Sequence, residues 1–134
     1  MTRLALALLI GGASLALPLS ALGARASLAM LDQLDGGTWE LRQPGAGGPM
    51  RSICLDSGRE LIQLRHPDLA CNSVIVEDKP NEVTVQYTCH GQGYGRTRVR
   101  RETNSLVQID SQGIVDGRPF AFAAEGRRVG TCRS

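Results

Sequence analysis

The sequence predicts a mainly β domain: an antiparallel up-and-down meander of about seven strands with one or two short helices, stapled by disulfides. Three observations carry this. Residues 82–89 alternate strictly, with Val83, Val85, Tyr87 and Cys89 on one side and Glu82, Thr84, Gln86 and Thr88 on the other, the period-2 mark of a half-buried strand. Turn chemistry recurs between such runs, at Asp78-Lys79-Pro80-Asn81 and at Asp116-Gly117. Four cysteines lie beyond an export leader, and an even count in a small exported domain implies a disulfide framework. A curled sheet, a partly closed barrel or a small sandwich satisfies all three.

The leader comes first. Arg3 is followed by an almost wholly apolar run from Leu4 to Leu17, then Pro18, Gly23 and the small-x-small site Ala24-Arg25-Ala26. The run is about 14 residues, short of the roughly 20 of a spanning helix. Residues 1–26 therefore read as a signal peptide and residues 27–134 as one domain, periplasmic or secreted, with no transmembrane segment in the mature chain. Removing the leader takes Arg3 and Arg25, so Lys plus Arg falls from 15 to 13, level with the 13 Asp plus Glu. A formally neutral domain lacks the basic excess that a nucleic-acid partner requires.

Within the domain, Leu28, Leu31 and Leu34 at helical spacing suggest a short helix over Ser27–Leu34, ended by Asp35-Gly36-Gly37. Thr38–Gln43 alternates as a strand with Trp39 and Leu41 inward, a Gly/Pro loop runs over 44–49, and Arg51–Leu55 is a second strand. Ser57-Gly58-Arg59-Glu60 is a capping box that opens a helix ended by His66-Pro67. The hairpin from Cys71 to Cys89 follows. With Asp78 facing Glu82, Ile75 faces Val85, Ser73 faces Tyr87 and Cys71 faces Cys89, at a separation of about 4.5 Å that a disulfide bridges. This register selects Cys71–Cys89 and leaves Cys54 for Cys132.

His90 to Gly95 reads as a glycine-rich connection to a strand over Arg96–Arg101. After a turn at Glu102-Thr103-Asn104, Ser105–Val115 returns. Arg101 opposite Ser105 sets Val99 against Val107, Thr97 against Ile109 and Arg96 against Asp110. Asp116-Gly117 then makes a two-residue hairpin with Arg118–Val129, placing Phe122 opposite Ser111 and Phe120 opposite Gly113.

Placed in this order, the motifs resemble a known family. They are Gly-Gly-x-Trp-Glu at 36–40, Cys54-Leu55, Tyr87-x-Cys89 followed by glycines, and Gly-Arg-Arg-Val-Gly-x-Cys at 126–132. With the leader they look like the small proteobacterial envelope proteins of domain-of-unknown-function family 3617. The resemblance spans nearly the whole mature chain and departs in the short loop after the first strand. It implies a periplasmic, disulfide-bearing β domain and transfers no catalytic residue.

The residues that carry chemistry point away from catalysis. Cys71, Cys89, His90 and His66 include soft metal ligands, but no C-x-x-C or H-x-x-x-H spacing organises them, and oxidised thiols are not ligands, so neither a metal nor another cofactor is expected. Asp56, Ser57 and His66 lack a nucleophile elbow, and Ser57 is used as a cap. Gly91-x-Gly93-x-Gly95 precedes a strand, not the helix that a phosphate loop needs. Arg96, Arg98 and Arg100 project from one face of one strand about 6.5–7 Å apart, with Arg101 beside the turn. That row suits an anionic envelope component (lipid head groups, lipopolysaccharide phosphates, acidic glycans) or is a solvated face neutralised by Asp110 and Glu102. Arg127 or Arg128 is placed to pair with Glu40. Trp39, Tyr87, Phe120 and Phe122 serve as core anchors or line a ligand cavity. The expectation is a non-enzymatic envelope module, structural or binding. The alternative is a small barrel-like binder using the arginine row or the aromatic face.

Overall fold

A computed structural model describes residues 27–45 and 51–133. The expected leader and most of the 44–49 loop lie outside these residues. The chain forms α1 (Ala29–Asp32), β1 (Gly37–Arg42), β2 (Arg51–Leu55), a 3₁₀ helix (Gly58–Gln63), β3 (Asn72–Asp78), β4 (Glu82–Cys89), β5 (Gly93–Thr103), β6 (Leu106–Val115) and β7 (Arg118–Gly130). All seven strands join one antiparallel sheet in the order β2-β1-β7-β6-β5-β4-β3. The sheet is open, with β2 and β3 at its edges, so the meander is a curled sheet rather than a closed barrel.

The covered face is the apolar one. Trp39, Leu41, Val83, Val85, Tyr87, Val99, Val107 and Ile109 project from it, and Leu31, Leu61 and Ile62 from the helical segments close over them, all buried. Polar anchors fix that lid to the sheet. Thr97 Oγ1 donates to the Ile62 carbonyl at 2.5 Å and so accepts from Ser111 Oγ at 2.8 Å. Asp78 at the β3–β4 turn accepts from the backbone N–H groups of Ser27 at 2.7 Å and Leu28 at 3.2 Å, holding the start of α1. Arg59 grips the Asp32 carboxylate at 2.6 and 2.8 Å, and its hydrogen bond holds that carboxyl below the usual carboxylate range.

Both disulfides, Cys71–Cys89 and Cys54–Cys132, are those the hairpin register selected. In β3–β4, Ile75 faces Val85 and Ser73 faces Tyr87, but a bulge before Glu77 puts Asp78 opposite Val83 rather than Glu82. Asp116 and Gly117 both take positive φ (49° and 74°), as the two-residue turn requires, and Phe122 and Phe120 face Ser111 and Gly113.

Other expectations are corrected. The β5–β6 register is shifted by two: a bulge between Arg101 and Thr103 moves the turn outward, so Val99 meets Ile109, Thr97 meets Ser111, and Arg98 rather than Arg96 meets Asp110. A two-residue slip keeps every side chain on its face, which is why the alternation did not reveal it. Gly93, Tyr94 and Gly95 belong to β5 rather than to a loop. The capping box at Ser57 forms, but it opens a 3₁₀ turn of six residues. The first helix spans four residues. Phe120 and Phe122 are half-buried at the margin of the core, not within it.

Candidate functional site

Two regions bear on function: a polar knot inside the covered face, and the bare face opposite. The knot centres on His66, 1% exposed. Its Nε2 lies 3.0 Å from the Gln92 carbonyl, which can only accept, so Nε2 carries the proton. In the neutral imidazole Nδ1 then accepts from the Tyr87 hydroxyl, also at 3.0 Å. Burial pushes the Tyr87 phenol up to about 12, opposed by the charge of Arg65. Arg65 lies 5.5 Å over the Phe120 ring. Gly95 makes room for the phenol: a Cβ there would sit 2.4 Å from its oxygen. This knot joins the segment after the 3₁₀ helix to β4 and to the β4–β5 turn, and satisfies the buried imidazole and phenol.

The bare face is a grid, set by the ladder, in which polar side chains on the central strands are flanked by Val74 on β3 and alanines on β7. One row runs Val74, Gln86, Arg96, Gln112, Ala121 across β3 to β7; the next runs Glu77, Thr84, Arg98, Asp110, Ala123. Most of its charges are paired with neighbours: Arg98 with Asp110 at 2.8 Å, Arg100 with Glu102 at 3.4 Å, Arg42 with Glu40 at 2.7 Å, Arg127 with Glu125 at 3.3 Å, and Lys79 with Glu77. Arg127 does lie opposite Glu40 in the ladder, yet its ion pair is with Glu125; Arg128 Nε donates to the Gly36 carbonyl at 2.7 Å.

The four arginines singled out in the sequence thus separate. Arg101 is a clamp, donating to Gln33, Asn104, Asn81 and the Pro80 carbonyl, which ties the β3–β4 and β5–β6 turns to the end of α1. Arg98 and Arg100 have carboxylate partners. Arg96 alone makes no ion pair or hydrogen bond among the described residues, and it is flanked on the neighbouring strands by Gln86 and Gln112. Beyond Gln112 on β6, β7 presents the small side chains of Ala121 and Ala123 on this face, and two adjoining depressions of about 390 and 710 Å³ share Arg96, Gln112 and Ala121. Tyr94, half-exposed, lines the smaller one. Reading the sequence missed Tyr94 because Gly93 and Gly95 on either side marked it as loop.

Fold and site together define an open antiparallel meander held by two disulfides, with the middle of one face covered by helical turns and the other face bare and mostly polar. Such disulfides belong to an oxidising, extracytoplasmic environment. Among the described residues, no helix is long and apolar enough to cross a membrane and no His/Cys/Asp/Glu cluster is arranged to hold a metal. Compared with family models, curated proteins and solved structures, the chain matches none.

Proposed function

We propose that this chain is an exported, non-enzymatic accessory module of the bacterial envelope, working in the periplasm and using the bare face of its sheet to hold an envelope component. One observation carries the reading. β5 buries Gly95, Thr97 and Val99 beneath the helical lid and β7 buries Ala124 and Gly126, while the opposite face of both strands is largely open to solvent and carries the Arg98–Asp110 and Arg127–Glu125 pairs. The leader-like N-terminal sequence, the two disulfides and the sequence resemblance to the proteobacterial envelope family support this choice of compartment. His66, the buried residue best suited to acid–base work, has both nitrogens committed to structural partners.

The test is fractionation of a host expressing the full chain, with photo-crosslinking from Gln112 on the bare face and from Asp68 away from it. The expected result is periplasmic recovery with all four thiols protected from alkylation, and a discrete envelope adduct from Gln112 but not Asp68. Recovery in the cytoplasm with free thiols, or equal weak labelling from both positions, overturns the reading.

A further inference from the structure

We infer that the depression around Arg96 is a subsite for one acidic sugar unit of an envelope glycan. The inference rests on the proposed binding role of the bare face and narrows it to a place and a ligand. The charge pattern argues against a polyanion. Of the arginines expected to form a cationic stripe, Arg98 and Arg100 are already matched by Asp110 and Glu102, and Arg101 is consumed by four acceptors. Of these four, Arg96 is the one guanidinium left unmatched among the described residues, which calls for a ligand with one acid group at that spot.

The neighbours specify the rest of the ligand. Gln86 and Gln112 stand directly beside Arg96 on β4 and β6, and an amide both donates and accepts, as a sugar hydroxyl does. Tyr94 projects from the same face of β5, two residues or about 6.5–7 Å from Arg96, and offers a flat apolar ring against which the C–H face of a pyranose can lie. Ala121 keeps the floor low in a shallow, open depression of about 390 Å³, room for one sugar ring lying against the sheet. Carboxylate and phosphate both pair with a guanidinium through charge-assisted hydrogen bonds. The acid is therefore either a uronic-type carboxylate or a sugar phosphate.

The experiment is titration of the isotope-labelled exported protein with glucuronic acid, glucose 6-phosphate, glucose and inorganic phosphate, read by amide and side-chain NMR shifts. The expected result is saturable shifts at Arg96, Gln86, Gln112 and Tyr94 with one of the two acidic sugars, which identifies the acid. Glucose alone should bind at least fivefold more weakly. Arg96→Gln should erase that preference, Tyr94→Ala should weaken acidic and neutral sugar alike about tenfold, and Arg98→Gln should change neither. Phosphate binding as tightly as glucose 6-phosphate would reduce the site to an anion contact and overturn the sugar assignment. No shift with any probe would overturn the site, while the crosslinking from Gln112 would still stand or fall by itself.

Discussion

Replacing Tyr87 by Phe removes one oxygen from the middle of the covered face and leaves the ring in place. Apolar burial survives; what disappears is the O–H that His66 Nδ1 accepts at 3.0 Å. Both residues are 1% exposed, so water does not substitute, and the imidazole is held by its other nitrogen at the Gln92 carbonyl. A lost hydrogen bond together with a buried acceptor left without a donor costs about 1–3 kcal/mol. At ~4–8 °C per kcal/mol in a domain near this size, a loss of about 2 kcal/mol lowers Tm by roughly 10 °C. Urea and thermal unfolding at neutral pH, followed through the fluorescence of Trp39, the single tryptophan, measure it. A double-mutant cycle with His66→Leu isolates the pair, with an expected coupling of about 1–2 kcal/mol. Alkali gives a second readout. Burial raises the folded phenol from 10.0 to about 12, so the native state keeps a proton that the unfolded chain releases. That contribution is complete below the unfolded value and is lost as pH rises through the folded one. The wild type therefore weakens across this window by an amount that Tyr87→Phe does not show. A cost below ~0.5 kcal/mol, additive with His66→Leu, would refute the buried pair.

The remaining predictions concern the staples and one close contact. Cys54→Ala with Cys132→Ala opens a link across 78 residues and should cost about 4.5 kcal/mol by chain entropy. Cys71→Ala with Cys89→Ala, across 18, should cost about 3 kcal/mol. To the second figure the loss of Cys89, 2% exposed, adds about 1 kcal/mol of packing. Urea midpoints check both, and an unchanged midpoint in either variant counts against a stabilising role. Gly95→Ala would force a methyl to within 2.4 Å of the Tyr87 oxygen and should cost about 1–3 kcal/mol, whereas Gly130→Ala, with nothing within 4 Å, should be close to neutral. Equal effects at the two glycines would show that the phenol does not need the space.

Much of the fold was legible because short-range rules agreed with one another. Asp116-Gly117 fixed a turn and hence ten residue pairs between β6 and β7. The alternation of β4 fixed which side chains face inward and, through the hairpin register, both disulfides. What stayed hidden was decided across the sheet. Gly95 looks like loop because the sequence cannot show Tyr87 reaching over from the next strand, and the bulge before Thr103 leaves no mark in a pattern of period two. His66 read as the end of a helix; only the fold brings Tyr87 and Gln92 to its two nitrogens. The arginine row was visible as spacing, but its partners depended on a register two residues away, so the lone guanidinium could not be told from its neighbours.

The two disulfides are nested, with Cys54–Cys132 enclosing Cys71–Cys89. A chain that emerges from its N-terminus presents Cys54 first and Cys71 next, while the proper mate of Cys54 is the last sulfur to arrive. Oxidation in order of appearance joins the wrong pair, and only thiolate exchange can release it. Correct bonding by that route depends on a shuffling catalyst or a thiol buffer, a dependence that consecutive bonding would have spared this chain.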